Sequence, residues 1–117
     1  MKFFHRKPPS PEESLEPLLW QLRDLAQMPP VTIDLYVWER DIDAVMKQIR
    51  ALSKRAYEQL EDLVLELEKR GIEHVRDLDN NEPPEVMEES HRRYFEQLAF
   101  LTSELQAFHF PESEEPK

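Results

Sequence analysis

The segment VTIDLYVW, residues 31–38, can be read with two different periods, and the choice between them decides the fold. Val31, Ile33, Leu35 and Val37 alternate as the inner face of a strand would, in a stretch rich in the β-branched and aromatic residues that suit strands. Leu35 and Trp38 also open a second series. Ile42, Val45, Ile49, Leu52 and Ala56 continue it at alternating steps of three and four, the spacing of one face of a helix. A strand at 31–38 would find only GIEHV, residues 71–75, to pair with, and a two-stranded sheet is marginal on its own. The helical reading is preferred, and with it an all-α fold.

Working outward, the series runs on through Leu60, Leu63 and Leu67, with a stutter after Ala56, so one long helix is expected from about 32 or 34 to 70. Gly71 followed by Ile72 reads as its C-terminal stop. Upstream, SLEPLLWQLRDLAQM (14–28) places Leu15, Leu18, Leu19, Leu22, Leu25 and Ala26 on one stripe. Ser14 is a suitable cap, Pro17 falls in a first turn that has no N–H bond to lose, and Pro29 and Pro30 end the helix. Downstream, a third helix follows DNNEPPE and carries Met87, His91, Tyr94, Leu98, Leu101, Leu105 and Phe108 before Pro111 stops it. Residues 1–13 and 111–117 are expected to be disordered tails around a helical domain at 14–110.

Three helices of these lengths suggest an assembly. At 1.5 Å per residue the second is roughly 55 Å long, the third roughly 37 Å and the first roughly 21 Å, so the two shorter ones can lie antiparallel along different parts of the longer. Much of the long helix then meets one neighbour, although its apolar stripe, roughly 140° wide, is broader than one neighbour covers. The expected fold is thus a long antiparallel helical hairpin with a short N-terminal helix, dimerising two-fold into a bundle. Trp38, Ile42, Val45 and Ile49 on the stripe, with the outward-facing Trp20 and Phe100, are the candidate interface residues.

Composition narrows the chemistry. One glycine against ten prolines removes phosphate-cradling loops, and the absence of cysteine removes disulfides, thiolate nucleophiles and iron–sulfur ligation. The N-terminus MKFFHRK lacks the apolar run of a signal peptide and no segment is apolar enough to span a bilayer, so a cytoplasmic location is expected. A net charge of −10 opposes general nucleic-acid binding. Between 58 and 89 there are twelve acidic and three basic residues, a balance of −9, which concentrates the charge in one third of the chain.

The most chemical-looking stretch is DLDNNEPPEVMEESH, residues 77–91. Asp77, Asp79, Asn81, Glu85 and Glu88 occupy positions 1, 3, 5, 9 and 12 of a stretch that resembles the calcium loop of an EF-hand, but Glu82 stands where that loop turns on glycine, and Pro83 and Pro84 follow. The plainer reading has Asp79, Asn80 or Asn81 capping the third helix, with glutamates favouring its positive end. Glu88-x-x-His91 resembles the carboxylate–imidazole motif of di-iron bundles, and Glu66 is the carboxylate expected opposite it. Glu66, Glu88 and His91 are therefore the candidate ligands for iron or manganese, with calcium less favoured. His5, His74 and His109 fall in tails or a loop, and no serine sits in a nucleophile elbow. The leading expectation is a non-enzymatic, self-associating helical interaction protein, an adaptor, assembly factor or chaperone-like binder, whose acidic end (58–89) steers it to a basic partner. The alternatives are a ferritin-like metal-binding bundle and an acidic mimic of nucleic acid.

Overall fold

The computed structural model describes residues 11–108, and all of its regular structure is helical. Helix α1 spans Pro11–Ala26; a single 3-10 turn at Thr32–Asp34 leads into α2, Leu35–Leu52; α3 spans Lys54–Asp79 and α4 Pro84–Gln106. Residues 1–10 and 109–117 lie outside the described residues, and with them most of the expected N-terminal tail, all of the expected C-terminal tail at 111–117, and His5 and His109. Residues 11–13, expected in the N-terminal tail, are the first turn of α1. That helix passes through Ser14, so Pro17 falls in its second turn.

Residues 31–38 take the helical period. The Val31 N–H donates to an Asp34 carboxylate oxygen at 2.9 Å while the Asp34 N–H donates to the Val31 carbonyl at 3.1 Å, a reciprocal pair that winds the first turn and launches α2. Helical phase buries Trp38, Ile42, Val45, Met46 and Ile49. It leaves Val31, Ile33 and Val37, the residues a strand would have turned inward, on the surface.

Among the described residues there are four α-helices, not three, because the expected long helix doubles back at Ser53. The Ser53 N–H closes α2 on the Ile49 carbonyl, its backbone swings to φ −154°, ψ 102°, and its hydroxyl accepts from the Ala56 N–H to cap α3. The reversal sets Trp38 against Gly71 and Asp43 beside Glu68, so α2 and α3 are antiparallel neighbours. Gln97 on α4 donates to the Leu63 carbonyl, Trp38 reaches Leu25, and Tyr94 reaches Ala26. Each helix thus lies antiparallel to the next, and α4 returns beside α1: an up-down-up-down bundle. Trp38, Ile42, Val45 and Ile49, expected at an interface between chains, pack inside this one. The width of their stripe is accounted for by neighbours within the chain.

Gly71 does not end α3. A Cβ built there would sit 2.6 Å from Trp38 Cη2 and 3.1 Å from Pro30 Cδ, so the glycine is what lets the indole ring lie on the helix backbone. The helix stops eight residues later, at Asp79, in a Schellman motif, where Asn81 adopts φ 52°, its N–H bonds the Leu78 carbonyl and the Glu82 N–H bonds the Asp77 carbonyl. Helix α4 then starts on Pro84 without a side-chain cap, so none of Asp79, Asn80 and Asn81 serves there as the cap.

At the same end, the Trp38 indole N–H donates to the Leu25 carbonyl at 3.1 Å and the fully buried Tyr94 hydroxyl to the Ala26 carbonyl at 2.7 Å. Two aromatic donors from other helices thereby satisfy carbonyls at the C-terminus of α1 that have no intrahelical partner. Tyr94→Phe should cost about 1–3 kcal/mol by leaving the Ala26 carbonyl buried and unpaired. Gly71→Ala should destabilise by about 1–2 kcal/mol, overpacking outweighing the gain in helix propensity. In a Trp38→Phe background the Gly71→Ala cost should shrink, a coupling that urea denaturation of the double-mutant cycle measures.

Candidate functional site

The bundle end that carries the 31–37 segment, the C-terminus of α3 and the N-terminus of α4 combines two kinds of surface. Met28, Val31, Ile33, Tyr36 and Val37 are exposed, Ile33 by 89% and Tyr36 by 73%, and Leu78 is exposed at the end of α3. The Thr32 hydroxyl donates to the Asp79 carboxylate, which fastens the apolar segment to the acidic turn. From 77 to 91 the sequence contains no lysine or arginine. Asp77, Asp79, Glu82, Glu85 and Glu88 make no salt bridge with a described residue, whereas Glu89 is held by Arg92 and Arg93, which keep its carboxyl below the ordinary range. An apolar patch results, rimmed by carboxylates without a salt-bridge partner among the described residues.

The acidic stretch is not confined to this end. Glu58, Glu61 and Asp62 begin it near Ser53, and it follows α3 along its length, interrupted by Lys69, Arg70 and Arg76.

The calcium-like spacing does not form a loop. Asp77 and Asp79 belong to α3 and Glu85 and Glu88 to α4, leaving only residues 80–83 between the helices. Carboxylates fixed on two helix ends cannot wrap one cation as a flexible twelve-residue loop does.

The candidate metal ligands are placed as follows. Glu66 is paired with Arg70 at 2.7 Å. Glu88 and His91 line a shallow recess of about 390 Å³ with Pro84, Met87 and His74. The histidines exchange their expected roles: His91 is exposed, flanking a seam made of Ser90, Tyr94, Gln97 and Leu101, and His74, expected in a loop, is buried in α3. Their rings lie 5.8 Å apart. Burial and the nearby His91 push the His74 pKa down, and its Nδ1 is buried without a hydrogen-bond partner among the described residues. Among the described residues no three His, Cys, Asp or Glu side chains are grouped to hold a metal ion.

A buried carboxyl was not legible in the hydrophobic pattern. Glu68 faces α2 from α3, where burial, the Asp43 carboxyl within hydrogen-bonding reach, and the charge of Glu39 push its pKa from 4.5 up to about 8. Protonated, it can donate to Asp43. Its position three residues before Gly71 on the buried side is the only sequence signal for it.

Of the outward aromatics, Trp20 is 50% exposed, with Arg23 over its ring at 4.8 Å and Glu16 accepting from its N–H. It borders a groove of about 230 Å³ between α1 and α4, lined also by Leu19, Leu105 and Phe108. Phe100 is 61% exposed. No helix among the described residues is long and apolar enough to cross a membrane.

The folded chain keeps a proton on Glu68 that the unfolded chain releases above 4.5, so this group lowers stability as pH rises from 4.5 to about 8 and changes nothing further above. The depressed His74 acts oppositely, losing stability as pH falls below 6.5. Glu68→Gln should raise the melting temperature at pH 8 and flatten its decline between pH 6 and 8, as thermal unfolding at each pH would record. Comparison with protein-family models, with curated proteins and with solved structures gives no match, so any function assigned to the chain rests on its own residues.

Proposed function

We propose that the protein is a non-enzymatic helical interaction protein that binds a basic partner segment at the end formed by residues 28–37 and 77–88. The observation that carries this reading is the exposed Met28, Val31, Ile33, Tyr36 and Val37 patch fastened beside five carboxylates that have no basic partner among the described residues. Apolar anchors supply affinity, and the surrounding charge selects lysine- or arginine-rich segments and speeds their arrival. An adaptor or assembly role, with self-association of the chain, fits such a surface. A second reading, an acidic mimic of nucleic acid, draws on the carboxylates that follow α3, a helix about 39 Å long, but Lys69, Arg70 and Arg76 break that array.

The test is an affinity comparison with charge reversal. The full chain and its Asp77→Lys, Glu82→Lys, Glu85→Lys, Glu88→Lys variant are used to capture partners from the native source at low and at high salt. A basic partner should bind the wild type, weaken about tenfold or more on charge reversal, and weaken with added salt. A partner held equally by both proteins, or indifferent to salt, would sink the reading. Competition by duplex DNA would favour the mimic.

A further inference from the structure

Ser53 is the entire connection between α2 and α3. Nothing else near it calls for a reversal: no glycine or proline occurs from 31 to 70, and RALSKRAYE, residues 50–58, consists mostly of good helix formers. Ile42, Ile49 and Ala56 are buried and spaced by seven, so the buried side of α2 continues in phase into the first turn of α3 as it would in one straight helix. Only the Ser53 backbone leaves the helical region, held there by the hydroxyl that accepts from Ala56. The reversal also leaves end groups unpaired that a continuous helix would bond internally.

We infer that Ser53 is a hinge, and that opening it lets the bundle assemble with a second copy of this chain by exchange of helical hairpins. With Ser53 helical, α2 and α3 become one helix covering residues 35–79, roughly 67 Å long. The α1–α2 hairpin of each chain then docks on the α3–α4 hairpin of the other, which closes a two-fold dimer. Trp38 still lies on Gly71, Asp43 still faces Glu68 and Tyr94 still donates to Ala26, each contact now made between chains. No new apolar surface is needed, because the interface is the core already present. This deepens the self-association in the proposed function and leaves the basic-partner surface intact, so either can fail alone.

The hinge is tested by its cap and by a distance. The chain has no cysteine, and Arg40 and Lys69 are exposed on α2 and α3, so Arg40→Cys and Lys69→Cys accept spin labels. Labelled chains are diluted into unlabelled chains and refolded at high concentration, so that only distances within a chain are read. In the closed bundle the labels sit on adjacent antiparallel helices; along a straight helix, 29 residues apart, they are separated by about 43 Å. Ser53→Ala should enrich the dimer over wild type by about fivefold for each chain, the equivalent of losing one serine cap. That dimer should show the long distance, and inserting two glycines after Ser53 should suppress it. A Ser53→Ala chain no more dimeric than wild type, or a dimer whose labels stay close, would overturn the inference.

Discussion

The indole of Trp38 is where the four helices are held to one another. Its ring occupies the place a side chain would take at position 71, its N–H holds the last turn of α1, and the Tyr94 ring lies 6.3 Å away. The contact fixes how closely α2 approaches α3 and how α1 ends. The only glycine of the chain therefore stands inside a helix, where it costs about 1 kcal/mol relative to alanine, and not in a turn. The turns are made by other means: Ser53 caps one, Asn81 takes the left-handed conformation in another, where Pro83 and Pro84 lead into α4, and Pro29 and Pro30 lie within the third.

This substitution of roles explains which parts of the fold were legible. The leucine stripe of α1 and the helical phase from Leu35 follow from local spacing, and both are found. The reversal at Ser53 was not legible, because a repeat of three and four reports which residues share a side and is identical whether the chain continues or folds back. Gly71 misled for a related reason. Local rules make a glycine after a helical pattern a terminator, whereas its cause here is a ring thirty-three residues away in sequence. The helix instead runs on to Asp79 and is closed by Asn81, which tolerates a positive φ better than most residues.

Polar residues in the core account for most of what was missed at the candidate site. Ser90 and Gln97 take two of the four buried positions on α4, each donating to a carbonyl, so a search for apolar periodicity shifts the seam onto His91 and Leu98. His74 and Glu68 are buried for the same geometric reason and announce themselves only through their neighbours. The acidic turn and the outward Trp20 and Phe100 were legible because exposure is the default for charge and because both aromatics fall off their stripes. What spacing could not supply is that the surplus apolar residues of 31–37 would be left beside that turn.

The order of the helices has a consequence for how the chain reaches its fold. Each helix packs chiefly on the one before or after it, so most contacts close short loops and little entropy is lost before they form. The α1–α4 seam is the exception. It is the loosest of the four, and the Tyr94 bond to Ala26 spans 68 residues. Assembly can proceed hairpin by hairpin as the chain emerges, with the tyrosine hydroxyl reaching the end of α1 only after α4 has been made, so the bond that finishes the first helix is the last to become available.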